Sequence, residues 1–209
     1  MNEINNLKYK IMAKASWAST TPSSGSGNGT VNVGASTHTG RSQRQTSLTY
    51  KASGVTDISQ AVTQEAKAEY VSIDNISVGK GGGSVTVTGK SNSSKLKFTL
   101  GTGAVVATLP TNYSAGGAST ANDVAITGDP GTTAEYNFSI TLTAAANTTT
   151  AARSQTLTVT ATGGQSAQST LSQAAGDPTL SVSPASITLT AAGTPVSVTV
   201  TSNTNWTVE

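Results

Sequence analysis

The residue types that most often carry out chemistry in proteins are scarce in this sequence. It contains one histidine, His38, in a turn of serine, threonine and glycine, and no cysteine. General acid–base catalysis, nucleophilic catalysis and metal binding need histidine, cysteine or carboxylates that converge on one place. Nine of the ten acidic residues are instead scattered among predicted loops and strand ends: Asp57, Glu65, Glu69, Asp74, Asp123, Asp129, Glu135, Asp177 and Glu209. We therefore predict that the protein is not an enzyme and needs no metal or cofactor.

Two short segments have part of a ligand-binding motif. Asp74-Asn75 could begin a calcium loop, but the further acidic residues of an Asp-x-Asp run are missing. Residues 79–83, which include Lys80, are not followed by the Gly-Lys-Ser/Thr sequence that opens the helix of a phosphate loop. We predict a hairpin turn at this glycine-rich segment.

The two tryptophans and two of the arginines are candidate binding residues. Trp17 and Trp206 could stack on a sugar ring, but both lie on alternating strand segments, where packing in a core or an interface is the simpler interpretation. Arg41 and Arg44 could engage an acidic partner, although an arginine at a strand edge more often pairs locally. We predict that the tryptophans are packing residues.

The composition indicates an all-β protein built of small domains. The chain has 209 residues, of which 11% are charged and 4% aromatic, and its 21 glycines accompany abundant Ser, Thr, Ala and Val. This favours short strands and many turns over amphipathic helices. The net charge of +2 is small, and no apolar run approaches the ~18 residues of a membrane span, so we expect neither nucleic acid nor membrane as a partner. Residues 1–6 also lack the pattern of a signal peptide.

The strand pattern divides the chain into four segments. Residues 1–15 form an N-terminal arm. Residues 68–176, the middle segment, contain seven or so strands separated by turns, which is typical of one complete immunoglobulin-like β-sandwich. One of these predicted strands, at 124–126, follows a glycine- and serine-rich loop. Residues 16–67, the N-terminal segment, contain only four short strands, and residues 177–209, the tail, only three. We predict one complete domain flanked by two complementary half-domains.

The tail shows the half-domain pattern most clearly. Its apolar residues alternate with serine and threonine at period two, and Trp206 and Val208 begin a third strand. Three strands with one apolar face each cannot bury that face on one another. The alternating apolar residues are Leu180, Val182, Ile187, Leu189, Val196, Val198 and Val200.

Internal comparison supports this division. The front of the middle segment, VSI…ISV…VTV…LKF, matches LSV…ITL…VSV…WTV in the tail, and Ser91-Asn92 corresponds to Ser202-Asn203. The back of the middle segment, RSQTLT, matches RQTSLT in the N-terminal segment, and in both a glutamine follows the arginine after twenty residues. The chain therefore has the order back half, whole domain, front half.

Several of these motifs resemble BACON domains. The motifs are SVSPASITLT and VSVTVTSNTNWTV in the tail, SWASTTPSSGSGNGTVNV in the N-terminal segment, and the spacing from the arginine to VTQ. The resemblance covers about residues 16–66 and 178–209, whereas the middle segment lacks the tryptophan and the Ser-Gly-Ser-Gly turn. It implies an immunoglobulin-like module of a family that is frequent in proteins of phages infecting Bacteroidetes and is often attached to carbohydrate-active enzymes.

This resemblance, together with the lack of catalytic residues, favours a structural protein of a virion. We expect an auxiliary (decoration or cement) protein or a head-fibre protein of a phage capsid, such as the capsids of crAss-like phages. Its expected partners are other copies of itself and the phage major capsid protein. Its expected location is the capsid surface, after synthesis in the cytoplasm of the infected bacterium. The alternative is an adhesion module of the BACON type that binds glycans through its tryptophans and polar loops.

The complementary halves predict how copies assemble. An odd number of strands places the two ends of the middle domain at opposite poles, roughly 30 Å or more apart at ~3.3 Å per residue. The links at 67–68 and 176–177 are too short to fold back over that distance, so the tail of one subunit should complete the N-terminal half-domain of a neighbour. Such a head-to-tail contact gives a ring, such as a trimer, or a continuous net. The predicted inter-subunit seam consists of Trp17, Val31, Val33, Leu48, Val182, Leu189, Trp206 and Val208.

Overall fold

A computed structural model of the chain describes residues 14–105 and 107–209. Their regular structure consists of strands and one turn of 3-10 helix at Pro130–Thr132, so the all-β prediction is confirmed. The predicted arm lies outside the described residues, except for residues 14 and 15. The strands are β1 (Ala18–Thr21), β2 (Asn32–Ala35), β3 (Arg44–Tyr50), β4 (Ile58–Gln64), β5 (Val71–Ile73), β6 (Ile76–Val78), β7 (Gly83–Ser91), β8 (Leu96–Leu100), β9 (Ala107–Thr108), β10 (Asn112–Ala115), β11 (Ala118–Ala121), β12 (Tyr136–Ala144), β13 (Arg153–Ala161), β14 (Ser166–Gln173), β15 (Leu180–Ser183) and β16 (Thr199–Ser202).

The chain forms two compact units. The first comprises the residues up to Ala68 together with Gly131–Glu135, and the second comprises Glu69–Pro130 and Tyr136–Glu209. The tail therefore belongs to the same unit as the middle segment.

Strands β5 to β14 of the second unit form two sheets, which we call the middle sandwich. One sheet has the order β11-β10-β12-β7-β5, with β9 also paired to β12, and the other has the order β6-β14-β13-β8. The pairs are antiparallel except for β14 and β6, which are parallel. Two sheets built mainly of antiparallel strands, with one apolar face each, are the arrangement expected of an immunoglobulin-like sandwich.

Alternate residues from both sheets form one core in the middle sandwich. The ring of Phe98 lies at its centre, with centroid distances of 4.9 Å to Tyr113 and 5.6 Å to Phe138. These tilted and edge-on contacts are the arrangements that aromatic pairs prefer. The buried residues of this core are Val87, Leu96, Phe98, Tyr113, Ala115, Ile126, Tyr136, Phe138, Ile140, Leu142, Leu157, Val159 and Leu171.

Three local predictions for the middle segment are wrong. The turn at 79–83 is not a hairpin, because it joins β6 of one sheet to β7 of the other. The predicted strand at 124–126 is absent, and only Ala125 forms an isolated bridge, to Lys95. The preceding segment, expected to be a loop, instead contains β9, β10 and β11. These three strands lack long apolar alternation, so their partners rather than their own sequence define them.

The first unit contains two separate hairpin-like sheets. Strand β1 pairs with β2, and β3 pairs with β4, both antiparallel. The backbone amide of Arg41 donates to the carbonyl of Gly131 (2.9 Å), and that of Ser42 donates to Thr132 (3.0 Å). Among the described residues of this unit, the buried apolar side chains are only those of Ala18 and Leu48. The described part of the first unit therefore has no core comparable to that of the middle sandwich.

The tail forms one short strand pair, β15 with β16. The predicted tail strands through 187–189, 196–198 and 206–208 do not form, except that β16 begins at Thr199. An alternating segment becomes a strand only when a neighbouring backbone completes its hydrogen-bond ladder. For these tail segments, no such partner is present among the described residues.

We expect the substitution Gly89→Ala to destabilise the middle sandwich by roughly 1–3 kcal/mol, the usual cost of overpacking a core. A Cβ at Gly89 would overlap both the carbonyl oxygen of Ser72 and the ring of Phe138. Thermal unfolding followed by circular dichroism measures the effect. Gly81→Ala is the matched control, because a Cβ there meets no atom within 4 Å. Equal unfolding temperatures for the two variants would contradict the prediction.

Candidate functional site

Large apolar side chains are exposed in two parts of this protein, the first unit and the tail. In the first unit, Val31 and Val33 are 36% and 42% exposed. In the tail, Trp206 is 49% and Val208 82% exposed. Exposed apolar residues are ordinary when single, but contiguous sets mark interaction surfaces. The remaining large exposed apolar residues of the tail are Leu180, Val182, Ile187, Leu189, Val196 and Val198.

The tail repeats the hydrogen bonds of the front of the middle sandwich. In the middle sandwich, Ser91 Oγ donates to the carbonyl of the residue before β5 (2.7 Å), and Asn92 Oδ1 accepts from the amide of the same residue (2.9 Å). In the tail, Ser202 Oγ and Asn203 Oδ1 make the same two bonds to the residue before β15, at 2.7 and 2.8 Å. The predicted correspondence of the two Ser-Asn pairs therefore extends to their geometry.

The turn before β7 of the middle sandwich is also repeated in the tail. Gly82 has a φ of 70° and donates its backbone N–H to Gly79 O at 2.9 Å. Gly193 has a φ of 67° and donates to Thr190 O at 2.9 Å. The left-handed conformation at both positions favours glycine, which has no Cβ to clash. The tail thus has the local conformation of the front half, although its segments 187–189 and 196–198 have no strand partner among the described residues.

The first unit repeats the back of the middle sandwich in the same way. Arg44 Nε donates to Gln64 Oε1 at 2.8 Å, and Arg153 Nε donates to Gln173 Oε1 at 2.8 Å. The Nη2 atom of each arginine donates to the carbonyl of the residue eight positions earlier, which is Ser36 in the first unit. The twenty-residue spacing seen in the sequence is therefore an arginine–glutamine contact across one antiparallel strand pair.

The predicted seam residues of the first unit differ in exposure. Trp17 is half-buried, and the guanidinium carbon of Arg44 lies 4.7 Å from its ring centroid, a cation–π distance. Leu48 is buried, whereas Val31 and Val33 are exposed. Arg44 therefore pairs locally with Trp17 and Gln64, which is the simpler of its two sequence interpretations.

A groove of about 540 Å³ lies in the first unit beside strand β3. Its walls include Val31, Leu48 and Tyr50, together with the glycine- and serine-rich turn before β2. In the middle sandwich, the residues equivalent to Leu48 and Tyr50 are Leu157 and Val159, since each pair has the same distance from its arginine. Strand β8 pairs with β13 at Leu157 and Val159. The groove thus borders the part of β3 that is equivalent to the β8-paired part of β13.

Equivalent residues differ sharply in burial between the complete sandwich and the two end segments. Phe98 is 1% exposed, whereas its tail equivalent Val208 is 82% exposed. Leu142 is fully buried, whereas its equivalent in the first unit, Val33, is exposed. Sequence analysis identified the alternation of these residues but not their exposure, which depends on what covers them.

The ionisable groups form exposed pairs rather than a catalytic cluster. Lys95 and Lys97 lie 2.8 and 3.4 Å from the carboxylate of Asp123, and the hydrogen bond from Lys95 lowers the pKa of that carboxyl. Burial raises the pKa of Tyr113. His38 Nε2 donates to the carbonyl of Ser42 at 2.6 Å. Within the described part of the chain, no three His, Cys, Asp or Glu side chains are close enough to bind a metal ion together. The same residues include no helix with the length and apolar character of a membrane span.

Comparison with known protein families finds a match for the N-terminal part of the chain. No curated protein matches the sequence. Residues 1–67, which include strands β1 to β4, match the family model of the viral BACON domain. The resemblance to BACON-type domains of phage proteins, expected from the motifs, is confirmed for this segment.

Proposed function

We propose that the protein is a non-enzymatic structural component of a phage virion, either an auxiliary (decoration or cement) protein or a head-fibre protein of the capsid. Neighbouring subunits exchange half-domains: the tail of one copy completes the N-terminal half-domain of the next. The partners are other copies of the chain and the major capsid protein, and the location is the capsid surface. The match of residues 1–67 to a viral immunoglobulin-like family supports the virion role.

One observation carries the exchange: the front-half and back-half segments repeat the hydrogen bonds of the middle sandwich while their apolar faces stay exposed. A sandwich face that is 0–1% exposed in the complete domain, as at Leu142 and Phe98, is 42% exposed at Val33 and 82% at Val208. Covering such faces contributes about 25 cal/mol per Å² of apolar surface. Each neighbouring copy of the chain carries the complementary face.

The virion role predicts that the chain is a stoichiometric component of particles. Mass spectrometry of gradient-purified virions of the source phage should detect its peptides at an abundance comparable to that of other capsid proteins. Cryo-electron microscopy should then place its sandwiches on the outer capsid surface. Absence from purified virions, with the protein present in the infected cell, would contradict the virion role. The exchange itself is tested separately, by measuring whether the purified protein in solution has the mass of one chain or of an assembly of several chains.

Carbohydrate binding is the second candidate, and the exposure of Trp206 (49%) favours it, because exposed aromatic rings stack on sugars. The two candidates make opposite use of this side chain. In the exchange Trp206 is buried between copies, whereas in a glycan site it stays accessible. Quenching of tryptophan fluorescence by titrated polysaccharide, lost in Trp206→Ala, would support the glycan site.

A further inference from the structure

We infer the strand register of the exchange, which rests on the proposed function. The tail segment 194–200 of a second copy lies antiparallel along the free edge of β2, with Val196 opposite Val33 and Val198 opposite Val31. This register follows from two equivalences between the ends of the chain and the middle sandwich, each anchored by hydrogen bonds.

The first equivalence joins β2 to β12. Arg44 and Arg153 donate to the carbonyls of Ser36 and Ala145, which directly follow β2 and β12. Counting back from these carbonyls makes Val33 equivalent to Leu142 and Val31 equivalent to Ile140.

In the middle sandwich β12 is paired on both edges, with β7 on one side and with β9 and β10 on the other. In the first unit β2 pairs with β1, and its other edge has no strand partner among the described residues. Alternate residues of a strand direct their backbone hydrogen bonds to the same edge. Ser36 donates its amide to the carbonyl of Trp17, on the β1 side, and Asn137, eight residues before the equivalent Ala145, accepts from the amide of Gly116, on the β10 side. Strand β1 therefore lies on the edge equivalent to that of β9 and β10, and the free edge of β2 is the edge that β7 occupies on β12.

The second equivalence joins the tail to β7. The Ser-Asn hydrogen bonds make Ser202 equivalent to Ser91, and the glycine turn makes Gly193 equivalent to Gly82. The number of residues between the two anchors is the same in both segments. Val196 is therefore equivalent to Val85, and Val198 to Val87.

The strand pairs of the middle sandwich, transferred to the equivalent residues, give the register. In the middle sandwich Leu142 is opposite Val85, and Ile140 is opposite Val87. Val33 is therefore opposite Val196, and Val31 opposite Val198. All four valines are at least 36% exposed, whereas Leu142, Ile140 and Val87 are 0–1% exposed.

Side-chain size agrees with this register two residues beyond the pair of Val31 and Val198. In the middle sandwich the ring of Phe138 lies against Gly89, which leaves room for it. At the equivalent positions the first unit has Gly29 and the tail has Val200. The large residue is therefore on the β12 strand in the middle sandwich (Phe138) but on the tail in the exchange (Val200), and the glycine is on the opposite strand each time. A Cβ at Gly29 would meet no atom within 4 Å. The space that Val200 needs is therefore open.

The match of residues 206–208 to residues 96–98, with one residue fewer after the Ser-Asn pair in the tail, carries the end of the tail to the groove beside β3. Strand β8 follows β7 in the middle sandwich and pairs with β13, with Phe98 opposite Val159. The equivalent pair is Val208 and Tyr50, which is one wall of the groove. Trp206 and Val208 of the second copy thus enter a groove lined by Val31, Leu48 and Tyr50.

Engineered disulfides in the full-length chain test the register against a background without cysteine. Residues opposite each other in antiparallel strands have Cα atoms about 4.5–5.5 Å apart, within the range that a disulfide bridges. A shift of two residues adds about 6.6 Å along the strand and places the pair out of reach. We expect Val33→Cys with Val196→Cys to form covalent multimers under mild oxidation. The off-register pair, Val33→Cys with Val198→Cys, should form roughly tenfold less.

The outcomes separate the register from the exchange. Val31→Cys with Val198→Cys is a second in-register pair, so the test does not depend on one variant folding. Sedimentation of each reduced variant reports assembly before oxidation. Multimers that cross-link only in the off-register pair would overturn the register and keep the exchange. Disulfides formed within single chains, or chains that stay monomeric at all concentrations, would overturn both.

Discussion

A chain that ends at Asp177 is expected not to assemble, and the backbone amides of its first unit are expected to lose most of their protection from hydrogen exchange. The middle sandwich is expected to stay folded. The core of the middle sandwich consists of residues from Val87 to Leu171, so none is removed with the tail. The first unit has only Ala18 and Leu48 as buried apolar side chains among its described residues, too few to stabilise a domain alone. Under the exchange, the tail of a neighbour supplies the missing part of its core.

Hydrogen–deuterium exchange and light scattering measure this result. We expect the mass to fall to that of one chain, and the amides of β3 and β4 to exchange roughly tenfold faster or more, as for a unit that opens locally. The amides of β12 and β13 are the internal control and should exchange as in the full chain. Normal assembly of the truncated chain would contradict the exchange of half-domains.

Phe98→Ala is expected to have the largest effect of any single substitution in the middle sandwich. The ring is 1% exposed and contacts both Tyr113 and Phe138. Truncation of a buried phenylalanine costs about 3–5 kcal/mol, because transfer free energy and packing around the cavity are both lost. That is a large part of the ~5–15 kcal/mol that stabilises a typical domain. Circular dichroism should show an unfolding temperature lower by roughly 10–20 °C.

Val208→Ala is the matched control, at the equivalent position of the tail. Val208 is 82% exposed, so its truncation should change the stability of the middle sandwich by less than about 0.5 kcal/mol. The same substitution should weaken assembly, because Val208 is buried between copies in the proposed exchange. A loss of stability in monomeric Val208→Ala as large as that in Phe98→Ala would mean that the tail is covered within its own chain.

A head-to-tail exchange has consequences for the assembly that it builds. The tail that is donated and the half-domain that accepts it are different surfaces, so the contact is heterologous. An open assembly therefore keeps one unpaired surface of each kind, at its two ends, until a ring closes. Rings and extended nets both suit a repeating capsid surface. Strand exchange combines a backbone ladder with buried alternate side chains, which gives affinity and register together.

The exposed ion pairs contribute little to this assembly or to the fold. Lys80 and Asp177 are 2.6 Å apart, but the side chains remain more than half exposed. Pairs of this kind are typically worth ~0–1 kcal/mol and weaken with salt. The stability of the protein therefore depends mainly on which apolar faces are covered.

Much of this organisation can be predicted from the sequence because it depends on local patterns. Period-two alternation, as in Val85, Val87 and their tail equivalents, indicates strands without knowledge of their partners. The repeated Ser-Asn pair and the arginine–glutamine spacing reveal the equivalence of distant segments by direct comparison. The scarcity of histidine and cysteine is likewise a property of composition alone, and it led to the prediction of a non-enzymatic role.

Only the tertiary structure decided which of these segments have a partner. Strands β10 and β11 have little apolar alternation and exist through pairing with each other and with β12. Ile187 and Val196 alternate well, yet they lie outside strands, because no described backbone completes their ladders. Leu142 and Val33 have similar sequence surroundings and opposite burial. Burial and pairing are properties of what lies across the sheet, which no local pattern in one chain contains.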